Sequence, residues 1–304
     1  MSDWSDQELL RLDAEFARTD VAMHARPMRA AMEILGSGFV IGVLGNPEVD
    51  RIQKAYRRLF PHVDVAWPGK GVGLAASVDT VRKVTVAVIF GTCQISVHKG
   101  LGFESHEEWV RWCRGDPAIA ACSAFAFADI YDLAYGVDPR ADLPSSDLWR
   151  MALSNLEDVA NILPGGFSVD SVVQPICLTA ELSMKAALVD LGEDPKVLAK
   201  RNVGHNHKEL ARRLATQSPH RDNSTVAAVA AALPGYVDSR YKSAGLTRLT
   251  VVKLALGVQF IAASAARRGG DQDFTGEMER EQWPGPRDPG FYVDNADTCS
   301  GEEA

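Results

Sequence analysis

The sequence predicts a mainly α-helical protein in which a small β-hairpin or sheet accompanies the helices. Apolar residues recur at helical spacing over long segments, most clearly at 246–268, where they form one continuous stripe. The alternation and β-branched content of strands are concentrated around residues 84–98. We therefore expect a mostly helical N-terminal region that contains the hairpin, followed by a C-terminal up-and-down helical bundle.

Local signals mark where individual helices begin and end. Ser105 and Asn206 are each followed three positions later by a glutamate, which is the spacing of a capping box. Pro117 suits the first turn of a helix, because the N–H that proline lacks would have no partner there. Gly192 is a usual residue just beyond a helix C-terminus. These signals predict helices that begin near Ser105, Pro117 and Asn206, and one that ends at Gly192.

Composition divides the chain into three expected parts. The segment 137–146 has the Pro, Asp and Ser content of a linker, so it should separate an N-terminal domain, 1–140, from a helical bundle at 147–268. Residues 269–304 contain ten acids and two arginines, which account for the whole net charge of −8. We expect this acidic tail to be disordered and available to a protein partner, although its aromatic residues leave open a segment that folds back.

Charge and cysteine content limit the classes of function. Outside the tail the chain carries 30 acids and 30 bases, so any RNA binding has to be local. The five cysteines lack CxxC spacing, which suits a reducing cytoplasm. No uninterrupted apolar run reaches about 18 residues, so no membrane partner is expected. No motif for a metal or cofactor stands out.

Two acids, Asp129 and Asp132, lie three positions apart on the helix predicted after Pro117. Side chains at this spacing are neighbours on a helix, and two carboxylates can bind a metal ion. No nearby histidine or further acid in the sequence completes such a site. We therefore expect Asp129 and Asp132 on a solvated helix face.

The segment 176–214 combines helices with polar side chains in a way that suggests a site. Glu181 precedes Lys185 by four residues, the favourable order for a helical ion pair, and the pair lies between two apolar arcs. In the helix that begins after Asn206, His207 shares a face with apolar residues. If the two helices pack together, His207 faces the core that Glu181 and Lys185 border.

These positions, with others further along, resemble the HEPN domain family, small up-and-down helical bundles of prokaryotic nucleotide- and RNA-related systems. The resemblance covers about residues 166–268. The matching positions are Ala180-Glu181-Leu182 with Lys185, His207 with Leu210, Leu233 with Tyr236, and Arg240-Tyr241. It implies a homodimer that binds a nucleotide, RNA or protein partner in a regulatory or defence context. Glu181, Lys185, Arg240 and Tyr241 would be its binding residues.

Many HEPN ribonucleases also carry an arginine, a polar residue and a histidine four to six positions after the arginine. Arg201, Asn202, His205 and His207 have this pattern. A histidine can exchange protons near neutral pH and an arginine can neutralise a phosphate, so the implied reaction is metal-independent RNA cleavage by a 2′-hydroxyl. Alternatively, the histidines cap a helix and pack against the bundle, which we favour because Gly204 interrupts the motif. A binding module and, as the alternative, an endoribonuclease of the toxin or phage-defence type are the two hypotheses.

Overall fold

The chain is mainly helical and forms one antiparallel two-stranded sheet within the described residues, which confirms the predicted fold class. It divides into two compact units, Met1–Pro68 and Gly69–Ala304, and each unit has its own hydrophobic core. The computed structural model describes residues 4–39, 46–63, 69–88, 94–165, 169–235 and 243–293.

The first unit consists of three helices, α1 (Asp6–Arg18), α2 (Arg26–Leu35) and α3 (Pro47–Leu59). α1 begins after Ser5 and α3 after Asn46, and each of these side chains accepts a hydrogen bond from a backbone N–H of the first turn. The apolar faces of the three helices pack into one core. Its buried members are Leu9, Leu12, Phe16, Ala30, Ala31, Ile52, Ala55 and Tyr56.

The second unit begins with a hairpin of β1 (Gly71–Ser77) and β2 (Thr80–Val86), joined by a two-residue turn in which Val78 has a φ of 59°. Eleven helices follow among the residues that the structure describes. They are α4 (Val97–Gly100), α5 (His106–Trp112), α6 (Pro117–Val137), α7 (Ser146–Ile162), α8 (Asp170–Asp190), α9 (Pro195–Leu198), α10 (Arg201–Gly204), α11 (His207–Gln217), α12 (Asn223–Ala232), α13 (Arg248–Arg267) and α14 (Phe274–Arg280).

The long helices of the second unit form its framework. α8 packs between α7 and α13, α13 also packs against α6, and β1 lies against α6. Gln259 of α13 is buried and bonds the free edge of β1, accepting from the N–H of Leu74 at 2.8 Å and donating to its carbonyl at 3.0 Å. The same amide group donates to the Ala126 carbonyl at 2.9 Å. One glutamine thus joins the hairpin to two core helices.

The hairpin differs in position from the prediction, which placed its strands around residues 84–98. The N-terminal strand is the glycine-rich segment that begins at Gly71, and residues 94–96 have no regular structure while Cys93 lies outside the described residues. A Cβ on Gly71 would lie 2.5 Å from that of Ala134 in α6, so this glycine is needed for close packing. The strand was not predicted from the sequence because glycine is more typical of turns than of strands.

The domain boundary predicted at 137–146 is also wrong, since the two compact units divide between Pro68 and Gly69. Residues 138–145 connect α6 to α7, and both helices belong to the core of the second unit. The polar residues of this connection are held inside that unit. Arg140 forms an ion pair with Asp190 at 3.1 Å, and Ser145 donates to the same carboxylate.

The tail predicted to be disordered is ordered over its described part, residues 269–293. It contains α14 and then a single turn of 3-10 helix, Pro289–Phe291. Arg287 and Tyr292 of this segment are buried against the bundle. The alternative that the aromatic residues fold back onto the body is therefore correct for 269–293, while 294–304 lie outside the described residues. Burial of the Tyr292 ring and the pairing of Arg287 stabilise the folded segment, and this stabilisation offsets the tendency of an acidic segment to be disordered.

Three helices of the described chain are long and apolar enough to cross a membrane, judged by length and composition alone. They are Pro117–Arg140, Asp170–Asp190 and Arg248–Arg267. The sequence criterion of an uninterrupted apolar run did not identify these helices, because single polar residues interrupt each of them. Packing within the unit buries 72%, 67% and 83% of their most apolar windows. These helices supply most of the core.

Candidate functional site

A polar site lies where α8 meets the turn between α10 and α11. The carboxylate of Glu181 is only 3% exposed and contacts two cationic or polar groups. Its Oε1 accepts from Nζ of Lys185 at 2.6 Å, which confirms the predicted ion pair. Its Oε2 lies 3.1 Å from Nδ1 of His205, whose side chain is 48% exposed. A buried carboxylate therefore holds a histidine that water and solutes can reach.

Short helices bring His205 to this position. After α8 the chain makes single turns as α9 and α10, and then α11 starts with Asn206 as its cap, as predicted, at 3.1 Å from the N–H of Glu209. Gly204 is buried, and a Cβ there would lie 3.0 Å from the carbonyl oxygen of Leu198 and 3.4 Å from Nζ of Lys185. The residue that interrupts the predicted motif is thus the one that lets this turn approach α8.

His207 has a different environment from His205. It is 6% exposed, and its Nε2 donates to the carbonyl of Cys177 at 3.2 Å. Burial lowers the pKa of His207, while the nearby charge of Glu181 opposes that shift. His207 therefore lies in the predicted core beside Glu181, where a neutral imidazole braces α11 against α8 and where substrate has no access.

The structure describes only some of the remaining predicted site residues. Asn202 is exposed on α10. The backbone of Arg201 begins α10, but its side chain lies outside the described part of the structure. Arg240 and Tyr241 also lie outside the described residues. The structure thus brings Glu181, Lys185 and His205 together, and His207 is buried in the core beside Glu181.

The contact with Glu181 determines what His205 can do chemically. A carboxylate accepts hydrogen bonds, so Nδ1 of a neutral His205 carries the proton and donates to Oε2 of Glu181. Nε2 is then the ring nitrogen that can accept a hydrogen bond or a proton. Such a histidine can bind a phosphate or a hydroxyl, or transfer a proton to or from it.

The surface around His205 is locally basic, although residues 1–268 are formally neutral. Segment 194–213 contains six bases and two acids. Lys196, Lys200 and Lys208 are exposed there. Arg212 instead forms a two-pronged pair with Glu209 at 2.8 Å, and hydrogen bonds from its neighbours lower the pKa of Glu209 to about 2. The three lysines therefore give this face its positive charge.

A second charged cluster, which was not predicted from the sequence, lies where α6 meets the C-terminal end of α13. Asp129 and Asp132 are 1% and 0% exposed, so the prediction of a solvated face is wrong. Nη1 of Arg267 donates to both carboxylates at 3.0 Å, and its Nη2 donates to Asp222 at 2.8 Å. Arg287 adds two further bonds to Asp129, at 2.7 and 3.0 Å. Each acid is thus paired inside the protein.

Burial and pairing act against each other in this cluster. Burial raises the pKa of Asp132, and the charge of Arg267 only partly opposes it. Burial would also raise the pKa of Asp222, but its contacts with His220 and Arg267 hold that pKa well below the usual range. Among the described residues no group of three or more His, Cys, Asp or Glu side chains could hold a metal ion. The one sequence signal for the cluster was an arginine at the end of the apolar helix α13.

No family model, no curated protein and no solved structure matches this chain.

Proposed function

We propose that the second unit is a HEPN-like helical module that binds a phosphate-bearing ligand, RNA or a nucleotide, on the face that carries His205. One observation supports this most strongly: a half-exposed histidine, held by the buried Glu181, stands within a locally basic segment of a neutral chain body. Lysines attract phosphates through charge, and a positioned histidine adds a directed hydrogen bond. We propose that the protein acts in this way in the cytoplasm of a prokaryote, in regulation or defence.

Binding of a fluorescently labelled single-stranded RNA, and separately of ATP, tests this proposal. The double variant Lys200→Glu/Lys208→Glu reverses two exposed charges beside the site and should weaken binding about tenfold or more. Arg150→Glu is the matched control, because this 76% exposed arginine lies on α7 and should leave binding unchanged. Affinity of the wild type should fall as salt rises. Equal binding by all three proteins would contradict the proposal.

A metal-independent endoribonuclease is the second candidate function, and the contact between Glu181 and His205 favours it. In this mechanism Nε2 of His205 removes the proton from a 2′-hydroxyl, whose oxygen attacks the adjacent phosphorus. The P–O5′ bond breaks, so the products are a 2′,3′-cyclic phosphate and a 5′-hydroxyl, whose oxygen takes its proton from water. Arg201, which the HEPN resemblance assigns, would neutralise the charge that develops on the phosphate.

Incubation of total RNA with the protein in EDTA tests the catalytic candidate. The wild type should cleave RNA and slow growth of its expression host, while His205→Ala and Arg201→Ala should each lower the rate at least 100-fold. His207→Gln is the control for the alternative assignment, and a folded His207→Gln protein should retain activity. A wild type that neither cleaves RNA nor slows growth would leave only the binding function.

A homodimer and a protein partner for the acidic tail stay predictions. Part of the tail's charge is already engaged within the chain, since Asp273 and Glu279 both pair with Arg221. Light scattering after size-exclusion chromatography measures the oligomeric state directly. A mass near 33 kDa would exclude the dimer, because one chain has a mass of 32.9 kDa.

A further inference from the structure

The C-terminal segment 271–293 lies over α6 and α13 like a ligand in a binding site. Phe274 and Thr275 donate their backbone N–H groups to Asp132, at 2.7 and 3.1 Å. Further on, the ring of Tyr292 stacks on Phe260, with centroids 5.1 Å apart. Between these two anchors, Arg287 enters the core and keeps only 5% of its side chain exposed.

The surroundings of the Arg287 guanidinium are those of a recognition site for that group. Asp129 binds it with both oxygens, one on each terminal nitrogen, at 2.7 and 3.0 Å. Its central carbon lies 4.5 Å from the ring centroid of Phe125 and 4.7 Å from that of Phe260. A fork-shaped carboxylate and two aromatic rings match the charge, the planarity and the donor directions of a guanidinium.

The helices supply the principal parts of this site, while the segment supplies the occupant. Phe125 and Asp129 belong to α6, and Phe260 belongs to α13. With Arg287 withdrawn, Asp129 would keep Arg267 as its remaining cationic partner in the described structure, and Arg267 also pairs with Asp132 and Asp222. The helices would then carry an uncompensated negative charge beside two aromatic rings, which is the environment that a cation fills.

We propose that Phe125, Asp129 and Phe260 form a guanidinium-binding site that Arg287 occupies as a tethered, displaceable ligand. The site accepts a guanidinium group from outside the chain when Arg287 is absent or withdrawn. Two sources share this chemistry, a free guanidinium compound such as L-arginine and the corresponding segment of a second copy. Occupation of this site is independent of the ligand proposed for the His205 face.

Chemical rescue of Arg287→Ala in the full chain tests the site. The variant should unfold on the order of 10 °C below the wild type, because it leaves a buried carboxylate short of a partner. L-arginine at about ten times its dissociation constant should raise the variant's midpoint by about 3 °C, with saturation. Citrulline, which has the same shape without the charge, should have no effect.

The wild type is the second control, because Arg287 competes for its site and the same concentration of L-arginine should raise its midpoint less than it raises that of the variant. A peptide of residues 283–293 distinguishes the two sources. If the peptide raises the variant's midpoint at a tenth of the required L-arginine concentration or less, the site binds the segment of a second copy. If the peptide and L-arginine are needed at equal concentrations, the site binds a free guanidinium compound. Absence of a saturable rise, or the same rise in the wild type and with citrulline, would overturn the proposal.

Hydrogen exchange of the wild type decides the question if Arg287→Ala does not fold. The tether gives Arg287 an effective concentration on the order of millimolar, so L-arginine at about 50 mM competes with it. The amides of Phe291 and Tyr292, which bond to Asp288 and Pro289, should then exchange at least twice as fast as in citrulline. Equal exchange in the two solutions would overturn the proposal.

Discussion

The second unit places two charged clusters on its long helices, and they differ chiefly in their access to water. Around Glu181, one buried carboxylate supports Lys185 and the half-exposed His205. Around Arg267, which has no exposed side-chain surface, three carboxylates are paired entirely within the protein. The first arrangement offers a polar group to a ligand, whereas the second uses its polar groups to hold elements of the chain together.

This difference shows which property separates a site from a structural cluster. Both clusters contain charged side chains at helical spacing, and in both clusters burial shifts the pKa of a group. The cluster around Glu181 presents His205 with 48% of its side chain exposed, whereas Asp129, Asp132, Asp222 and Arg267 are each at most 5% exposed. Exposure of one member on a buried support, more than a shifted pKa, is what marks the His205 face as the candidate site.

Removal of Arg267 should have the largest effect on stability. Arg267→Met keeps most of the side-chain volume but leaves Asp129, Asp132 and Asp222 with too few partners, so it should lower the free energy of unfolding by about 3–5 kcal/mol. Urea denaturation measures this loss. Arg150→Met, at an exposed position of α7, should change it by no more than about 0.5 kcal/mol. A similar small change in Arg267→Met would mean that the cluster does not stabilise the fold.

Removal of Lys185 should have an intermediate effect, because His205 remains beside Glu181. Lys185→Met should lower the free energy of unfolding by about 1–3 kcal/mol. The double variant Glu181→Gln/Lys185→Met removes both charges and should regain part of that loss. Urea denaturation of the two single variants and the double variant gives the coupling energy. Strict additivity would show that the ion pair does not contribute.

Arg221 forms ion pairs with acids as Arg267 does, but its side chain is partly exposed. Its removal should therefore destabilise the protein less than removal of Arg267. It pairs with Asp273 at 2.6 Å and with Glu279 at 2.8 Å, but 37% of its side chain is exposed. Arg221→Met should therefore lower the free energy of unfolding by about 1 kcal/mol or less. The loss should shrink in about 0.5 M salt, while the loss in Arg267→Met should not. Equal salt dependence would remove the distinction between the clusters.

The smallest predicted effect concerns pH and His207. Because burial holds its pKa below the unfolded value of 6.5, the unfolded chain binds a proton first as pH falls. The stability that neutral His207 contributes is therefore fully present above pH 6.5 and is lost as pH falls toward the folded pKa. Unfolding measured from pH 7.5 to about 5.5, above the main titration of carboxylates, should show a weaker pH dependence in His207→Gln than in the wild type.

The features that the sequence predicted correctly depend on neighbours in the chain. Asn206 caps α11, Ser105 caps α5 at 3.2 Å, and the ion pair of Glu181 joins residues four apart. Each of these interactions spans three or four residues, so spacing alone was sufficient. The same holds for the apolar stripes of the long helices, whose period determines the buried face.

The features that the sequence did not predict depend on distant partners. Asp129 appeared solvated because the arginines that bury it lie 138 and 158 residues further along the chain. The exposure of His205 and the burial of His207 were likewise undecidable from spacing, since they depend on how closely Gly204 approaches α8. The acidic composition of the tail also gave no sign that a single arginine would anchor it.

The glutamine that closes the free edge of β1 has a consequence for synthesis of the chain. Gln259 follows Leu74 by 185 residues, so the hairpin is made long before its side-chain partner. At ordinary translation rates the nascent chain displays the unpaired edge of β1 for roughly 10–40 s. An unpaired strand edge is a template for association with other chains, so we expect the chain to be prone to aggregation during this interval.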